Sequence, residues 1–350
     1  MKKLLKLIIS TMLITAIVFN LGACGKKTPA DDVYKDNDVT VDSTKDSEKD
    51  NTESDKEKEE DKKEQEDNQK EQDSTVTVYP YVITDTFGNE ITIEKEPQTI
   101  VSISPEITET IFALGLGDKL IGRTEFCDYP SEVVDIKSVG TLSEVNTEII
   151  VELNPDIIFV SSLVKEEVVK QLMDNGLTVV TLNWNESFEG VYSYINTIGA
   201  ILNKKEDAMK YTEMLKEKVD KLVASVEGLE KPTAYFVVWA GDTDSTATGD
   251  TFLGEMMEMA GAQNVAADGV NWSYSIEQLI DKDPQIIICP KLNNLKKQIE
   301  TLDRYKDLTA VKEGKIYEVE DNLYFRQGPR LVEGLAKLIE VFHPEVLDKE

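Results

Sequence analysis

Two stretches of this chain, 129 residues apart, carry the same short pattern of a helix, a proline and an apolar run. The stretches cover residues 146–159 and 275–288, and Pro155 and Pro284 hold the same place in each. Proline lacks the backbone N–H that would continue a helix, so each stretch predicts a helix that stops before a buried strand. Such a repeat is what two lobes of equivalent fold would produce. A chance likeness of common helix–turn–strand chemistry is the alternative.

Short apolar runs flanked by turn residues alternate with amphipathic stretches along the rest of the chain. This alternation is typical of parallel sheets covered by helices, so the predicted fold class is α/β, with two lobes of mainly parallel sheets flanked by helices. Apolar and polar residues alternate around Gly88 and Asn89, which predicts a short β-hairpin at the entrance of the folded body. The apolar runs are residues 99–103, 156–160, 178–182, 234–239, 285–289 and 315–319.

A single long α-helix is predicted between the two lobes, because apolar residues recur at gaps of three and four over about six turns. Gly228 is expected to end it. Bending a continuous helix would break its backbone hydrogen bonds, so the sequence predicts a stiff clamp that opens little. The predicted boundaries are residues 77–204 for the N-terminal lobe with its hairpin, 205–228 for the connecting helix and 229–350 for the C-terminal lobe.

The start of the chain predicts export and lipidation. Three lysines precede an apolar run over residues 7–19, which is short for a bilayer span, and small residues then lead to Cys24. This order is typical of a signal peptide over residues 1–23 and resembles the bacterial lipobox, in which the cysteine receives lipid. Cys24 is therefore the predicted lipidation site, anchoring the chain to the outer face of the cytoplasmic membrane. An ordinary signal peptide or a bare transmembrane anchor is the alternative.

An acidic segment follows the predicted anchor. Residues 31–73 hold 19 Asp or Glu against 8 Lys and almost no apolar side chains, so they cannot form a core. Residues 24–76 are therefore predicted to be a lipidated, disordered tether that holds a folded body away from the lipid surface. Residues 31–73 hold −11 of the chain's net charge of −29, and the remaining −18 disfavours nucleic acid and anionic lipid as partners of the body.

Cysteine and histidine usage predicts neither a disulfide framework nor a metal site. Cys127 and Cys289 lie far apart and show no metal-ligand spacing. His343 is the chain's one histidine and precedes Pro344 at the end of a helical pattern, so a helix-terminal role is favoured over catalysis or metal binding. No nucleophile elbow or phosphate-cradling glycine loop occurs, and the sequence predicts no cofactor.

Four blocks of sequence, in order, resemble the substrate-binding proteins of ABC importers for cobalamin, iron siderophores and haem, the group with a helical backbone between its lobes. The resemblance covers about residues 80–345. It implies an extracytoplasmic receptor, predicted to be a monomer, that captures a small molecule between two lobes and delivers it to an ABC permease dimer. The blocks are PQTIVSISPEITE at 97–109, FCDYP at 126–130, LNPDII at 153–158 and RQGPRLVEGL at 326–335.

The resemblance also implies that one glutamate on the top of each lobe meets an arginine on a permease subunit. The matching positions are Glu148 and Glu277, which the internal repeat makes equivalent. A carboxylate–arginine pair across a transient interface supplies orientation and encounter rate, which suits a receptor that must dock and leave. Both glutamates also stand where a predicted helix begins, so stabilisation of the helix dipole is the alternative.

The ligand is expected in the cleft between the lobes, against loops at the carboxyl ends of the strands. Tryptophan rings there would give broad apolar contact, and Arg326 could pair with an acidic side chain of a ligand. Core packing is the alternative for Trp239, which closes a buried strand. The predicted ligand-binding residues are Ser104, Pro105, Cys127, Asp128, Tyr129, Ser161, Ser162, Trp184, Trp239, Trp272, Tyr324, Phe325 and Arg326.

The blocks at 126–130 and 326–330 look closest to cobalamin-type members of the family, which favours a corrinoid ligand. A ferric siderophore or haem is the alternative. Haem is less favoured because His343 is remote from the predicted cleft, although Tyr129 or Tyr324 could ligate iron.

Two other function classes compete with the receptor. The acidic pairs Glu106/Glu109 and Asp242/Asp244 invite a hydrolase interpretation. Surface carboxylates are expected throughout so acidic a chain, and the prediction is that the protein is not an enzyme and has no catalytic residue. A cell-surface adhesion module, favoured by the long tether, would instead bind a macromolecule.

Overall fold

The computed structural model describes residues 75–183, 187–241 and 244–347. The described part begins with an antiparallel hairpin of β1 (Tyr81–Thr84) and β2 (Glu90–Ile93), which confirms the predicted entry hairpin. The carboxylate of Asp85 fixes the turn by accepting hydrogen bonds from the backbone N–H groups of Phe87 and Asn89, at 3.0 and 2.8 Å. The predicted signal peptide, Cys24 and nearly all of the predicted tether lie outside the described residues.

The first lobe is built on a four-stranded parallel sheet in the order β4-β3-β5-β6. Every residue of β3, β5 and β6 is buried, because helices and loops cover both faces of the sheet. The strands are β3 (Ile100–Ile103), β4 (Leu120–Arg123), β5 (Ile157–Ser161) and β6 (Val179–Leu182), and the helices are α1 (Pro105–Ala113), α2 (Thr147–Leu153), α3 (Glu166–Asp174) and α4 (Phe188–Ile201), with 3-10 turns at Gly117–Lys119 and Ser131–Asp135.

The second lobe has a sheet in the order β11-β10-β7-β8, with β9 also paired to β7, and all its pairings are parallel except that of β8. Its strands are β7 (Thr233–Trp239), β8 (Ser245–Thr246), β9 (Gln263–Asn264), β10 (Ile286–Pro290) and β11 (Ile316–Val319). Its helices are α6 (Phe252–Met259), α7 (Ile276–Lys282), α8 (Leu295–Thr301), α9 (Thr309–Lys312), α10 (Asn322–Phe325), α11 (Leu331–Phe342) and α12 (Pro344–Leu347).

One long helix, α5 (Lys205–Ser225), connects the two lobes. It packs against α4 of the first lobe and α11 of the second. The contact with α4 is close, since a Cβ added to Gly199 would lie 2.3 Å from the Cβ of Ala208. The predicted fold class, two lobes of mainly parallel sheets joined by a single long helix, is therefore confirmed.

The repeated sequence pattern folds in the same way in both lobes. Helices α2 and α7 are each seven residues long, and their N-caps, Asn146 and Ser275, accept a hydrogen bond from the backbone N–H three residues later. Each helix ends at a residue in the left-handed conformation, Asn154 (φ 44°) or Asp283 (φ 38°). These residues, rather than the prolines that follow them, terminate the helices.

The residue after each proline then ties the helix to the first strand of its sheet. A side-chain oxygen of Asp156 accepts a hydrogen bond from the backbone N–H of Thr99 at 3.1 Å, and one of Gln285 accepts from Thr233 at 2.9 Å. Asp156 and Gln285 are again 129 residues apart. The two lobes therefore share the hydrogen bonding at this junction as well as their topology.

The largest apolar cluster includes side chains of both lobes and of α5. Phe188 of α4 contacts Phe252 of α6 across the junction, with ring centroids 5.2 Å apart. The lobes thus share part of their core, which opposes wide separation. Within the part of the chain that the structure describes, no helix has the length and apolarity needed to cross a bilayer.

Candidate ligand cleft and docking faces

The carboxyl ends of parallel strands carry most of the predicted ligand-binding residues, but five of these residues are buried. Ser104, Pro105, Cys127, Ser161 and Tyr324 lie in the protein interior. The Tyr324 hydroxyl donates to the carbonyl of Gly334 at 3.1 Å, and burial raises the pKa of the Cys127 thiol. In this structure these side chains support the loops and offer little surface to a ligand.

Aromatic side chains on the same loops remain exposed. Tyr129 follows β4 in the first lobe, while Trp239 at the end of β7 and Phe325 at the end of α10 belong to the second. Phe126 is exposed too and was missed, although it lies in the FCDYP block beside three predicted residues. Flat rings that stay exposed on loops from both lobes can supply broad apolar contact to a ligand.

The remaining candidates are polar or conformationally unusual. Ser162 is partly exposed and donates from Oγ to Asn183 Oδ1 at 3.3 Å, which links the ends of β5 and β6. Trp272 is partly buried, has a positive φ of 61°, and donates its backbone N–H to Thr248 Oγ1 at 3.2 Å. Trp184 lies outside the described residues, so its predicted role stays a prediction.

Arg326 and Arg330 of the second lobe pair with Glu109 and Asp128 of the first, and we call these four residues the arginine network. Arg326 donates from Nη1 to Asp128 Oδ1 at 2.5 Å and to Glu109 Oε1 at 3.3 Å. Its Nη2 donates to the carbonyl of Phe126 at 2.9 Å. Burial would raise the pKa of Asp128, but hydrogen bonds and charge from Arg326 outweigh it and hold the pKa below its ordinary value.

Arg330 makes the second half of the arginine network. Its Nε and Nη2 donate to the two carboxylate oxygens of Glu109, at 2.9 and 2.7 Å, in a bidentate pair. The guanidinium also stacks over the ring of Tyr129, 4.1 Å from its centroid. The Glu109 side chain is only 2% exposed. The network therefore joins the lobes through well-directed contacts that sequence analysis missed, and all of its residues but the half-exposed Asp128 are largely buried.

The arginine network limits the ability of Arg326 to pair with a ligand. Its guanidinium already makes four hydrogen bonds to Asp128, Glu109 and the carbonyl of Phe126. The predicted pairing of Arg326 with an acidic group of a ligand would therefore require it to give up a protein partner. Arg330 is occupied in the same way by Glu109.

Glu106 lies beside the arginine network but is not part of it. The side chain is buried on α1, and its Oε1 has no hydrogen-bond partner within the described chain. Burial raises the pKa of this carboxyl, and the nearby charge of Glu109 adds to the rise. A Cβ on Gly328 of the second lobe would lie 3.2 Å from the Cβ of Glu106, so this loop packs directly on it.

Two of the four carboxylates that invited a hydrolase interpretation, Glu109 and Asp244, have structural partners. Glu109 is bound by the two arginines, and Glu106 is buried. Asp244 accepts hydrogen bonds from Arg304 Nε and from the hydroxyl of Tyr305, at 2.6 and 2.8 Å. Asp242 lies outside the described residues.

Glu148 and Glu277 occupy equivalent positions in the first turns of α2 and α7, and both are exposed. Glu277 Oε2 accepts a hydrogen bond from Ser275 Oγ at 2.7 Å, which lowers the pKa of the carboxyl. Within the described residues the side chain of Glu148 has no hydrogen-bond or ion-pair partner. Each lobe therefore has an exposed carboxylate at this equivalent position in the first turn of the helix.

His343 caps the end of α11, where its ring Nε2 lies 3.0 Å from the carbonyl oxygen of Gly261. It is buried, in line with the predicted helix-terminal role. Cys289 is buried within β10. Across residues 75–183, 187–241 and 244–347, no group of three or more His, Cys, Asp and Glu side chains could hold a metal ion.

Comparison with known proteins gives consistent matches. The family model described as "Periplasmic binding protein" matches residues 100–323. The uncharacterized ABC transporter substrate-binding lipoprotein YvrC of Bacillus subtilis (strain 168) is 35% identical over 276 residues, which cover 77% of this chain and 87% of that protein. A protein named cobalamin-binding protein from Halobacterium salinarum is 27% identical over 279 residues, covering 76% of this chain and 74% of its own length.

Solved structures agree on the fold. The crystal structure of a possible iron-binding (periplasmic solute-binding) protein from Staphylococcus epidermidis ATCC 12228 superposes with a TM-score of 0.65 at 29% sequence identity. The match covers 71% of this chain and 99% of the other. The shared part is therefore essentially the whole of that protein.

Proposed function

We infer the function of this chain from its membership of the periplasmic binding protein family. Proteins of this family bind solutes and do not transform them, so the chain is not an enzyme. We propose that it is the substrate-binding lipoprotein of an ABC importer, and that it captures a corrinoid of the cobalamin type between lobes spanning residues 77–204 and 229–350. The name of the relative from Bacillus subtilis supports the first part and that of the relative from Halobacterium salinarum the second.

The choice of a corrinoid rests on one observation, which is that both arginines of the arginine network are already paired with carboxylates. An anionic ferric chelate or a haem carboxylate is best received by an unpaired cation, but Arg326 and Arg330 are each bound by a carboxylate of the first lobe. Exposed rings such as Tyr129 and Phe325 lie beside them. A corrinoid offers a broad ring rimmed with neutral amides, and this ring is better matched by apolar contact than by a free counter-charge.

A ferric chelate or haem is the second candidate, and similarity to the possible iron-binding protein from Staphylococcus epidermidis favours it. Of the two tyrosines that could ligate iron, Tyr324 is buried with its hydroxyl bound to Gly334, while Tyr129 is exposed beneath Arg330. Membership of a family of solute receptors does not favour the alternative that the chain is a cell-surface adhesion module.

The experiment that tests the ligand is a thermal-shift screen of the chain from residue 24, with Cys24 replaced by serine. The panel is cyanocobalamin, haem and ferric citrate, all at the same concentration. A ligand present at about 100 times its dissociation constant stabilises the protein by about 2.7 kcal/mol, which raises Tm by a few degrees, whereas a ligand far below its dissociation constant gives no shift. We expect the shift with cyanocobalamin. A shift with haem or ferric citrate alone would replace the corrinoid, and no shift with any of them would leave the proposal without a ligand.

We further propose that the mature chain is held at the outer face of the cytoplasmic membrane by lipid on Cys24, with residues 24–76 as its tether. We also propose that Glu148 and Glu277 dock the receptor onto the two subunits of a permease. Their exposure at equivalent positions of equivalent helices supports docking, because a partner with two equal subunits requires two equivalent faces.

A further inference from the structure

Helices α2 and α7 present the same set of exposed side chains on one face. In each helix a first carboxylate is followed three residues later by a β-branched apolar residue and four residues later by a second carboxylate. Residues at these spacings are neighbours on a helix surface, so each set forms one continuous face. The equivalent pairs are Glu148 and Glu277, Val151 and Ile280, and Glu152 and Asp281, and all six are exposed. We call the two sets the docking faces.

The apolar residue at the centre of each docking face belongs to no hydrophobic core cluster of the described residues. Val151 is 39% exposed and Ile280 is 50% exposed, while the buried contacts of these helices are made by Ile150 and Leu279. Alanine would favour each helix more than a β-branched residue does. One exposed apolar side chain on a protein surface is ordinary. Two at equivalent positions of the internal repeat, each beside two carboxylates, indicate a shared purpose.

The second carboxylates, Glu152 and Asp281, stand where helix physics disfavours them. Each lies four residues after another carboxylate, an arrangement that destabilises a helix, and each lies near a helix C-terminus, where the dipole repels negative charge. Within the described residues neither side chain makes a hydrogen bond or an ion pair. Their positions are therefore not explained by stability of the folded chain.

We propose that the docking faces bind two permease subunits, with Val151 and Ile280 each entering an apolar depression while the carboxylates beside them pair with basic side chains. This inference rests on the proposed importer function and adds an apolar contact and a second ion pair on each lobe. Charge selects the occupant, because each docking face carries two carboxylates and the chain outside residues 31–73 still has a net charge of −29 − (−11) = −18. A second copy of the receptor or an anionic lipid surface would bring like charges together, whereas basic groups around an apolar depression complement both parts of the face.

The first test is photocrosslinking in cells that make the full-length chain. A photoreactive residue replaces Val151 or Ile280, and the matched control replaces Met209, which is 61% exposed on α5. Both docking positions should crosslink to the same membrane-embedded permease subunit, and position 209 should not. Crosslinking from neither docking position, or equally from the control, would overturn the proposal.

The second test measures binding of the full chain to that permease in lipid nanodiscs. Val151→Ala and Ile280→Ala should each weaken binding about tenfold, through faster dissociation and with an unchanged salt dependence. Glu152→Gln/Asp281→Asn should instead slow association and flatten the salt dependence. An unchanged Tm of each alanine variant excludes unfolding as the cause of a loss in binding, and alanine's higher helix propensity favours that result. Met209→Ala and Glu213→Gln on α5 are the matched controls and should bind as the wild type does.

These variants distinguish a missing apolar contact from a failure of docking at α2 and α7. Normal binding by Val151→Ala/Ile280→Ala, together with lost binding by Glu148→Ala/Glu277→Ala, would leave docking in place and remove the apolar contact. Normal binding by both double variants would remove docking at these helices altogether.

Discussion

At the scale of single residues, Glu109, Arg326 and Arg330 of the arginine network concentrate charge where little water reaches it. Glu109 is held by Arg330 through two hydrogen bonds and by Arg326 through a third. A buried ion pair of this kind contributes little by itself, because desolvation offsets much of the attraction. Removing one partner is costly, since it leaves the other charge buried and uncompensated.

Glu109→Ala is therefore expected to lower the free energy of unfolding by about 3 kcal/mol. Urea denaturation followed by circular dichroism measures it. Glu213→Ala, an exposed carboxylate on α5 with no ion pair among the described residues, is the control and should stay within about 0.5 kcal/mol of the wild type. Equal effects of the two substitutions would contradict the arginine network as a stabilising contact.

The buried Glu106 predicts a dependence of stability on pH. Burial raises the pKa of its carboxyl in the folded state, so the folded protein holds this proton more tightly than the unfolded chain does. Its contribution to stability is present below about pH 4.3, the pKa of a free glutamate, and is lost as pH rises towards the folded pKa.

Glu106→Gln keeps the shape of the protonated glutamate side chain but has no carboxyl that can ionise. We expect the stability of this variant relative to the wild type to increase from pH 4 to pH 8, measured by urea denaturation at each pH. Glu213→Gln should show no such trend. A constant difference across this range would mean that Glu106 titrates normally.

At the scale of helices and strands, close packing of α4 on α5 sets the position of the connecting helix. Gly199→Ala should destabilise the protein by about 1 kcal/mol or more, because the clash with Ala208 outweighs the higher helix propensity of alanine. Urea denaturation measures it, with Ser193→Ala on the exposed face of α4 as the control. Adding Ala208→Gly to Gly199→Ala should recover part of the loss, and a fully additive pair would rule out the contact.

The exposed glutamates of α2 and α7 predict a separation of binding from transport. Glu148→Ala/Glu277→Ala should leave the ligand-induced thermal shift unchanged, since both side chains lie outside the predicted cleft, and should lower uptake of labelled ligand by cells. Glu144→Ala, which removes another exposed carboxylate of the first lobe, is the control. Lost ligand affinity with normal uptake would contradict the docking role.

Sequence patterns predicted six of the strands but missed three others and the arginine network. The six apolar runs all form strands, and in four of them, β3, β5, β6 and β10, every residue is buried, which requires a continuously apolar strand. Strand β4 (Leu120–Arg123) was missed since it contains Gly122 and a charged end, and β8 and β9 were missed since each has only two residues. The arginine network was missed because Arg330 and Glu109 stand 221 positions apart, and no local pattern records such a contact.

At the scale of the whole molecule, a lipid anchor and an acidic tether would keep the receptor near the permease without fixing its orientation. Cys24→Ser should release the protein from the membrane fraction into the medium or periplasm and abolish labelling by a radioactive fatty acid. Cell fractionation with immunoblotting measures the first effect. Ser10→Ala, within the predicted signal peptide, is the control and should stay anchored. Retention of Cys24→Ser in the membrane would point to an uncleaved transmembrane anchor.

The rigid junction between the lobes affects how empty and loaded receptor would compete for the proposed permease. Because a shared core, one continuous helix and the arginine network hold the lobes together, the spacing of the two docking faces should hardly differ between empty and loaded receptor. Both forms would then compete for the same permease. A cell that makes receptor in large excess over its ligand would therefore slow its own uptake, and the number of receptors per transporter becomes a quantity that the cell must control.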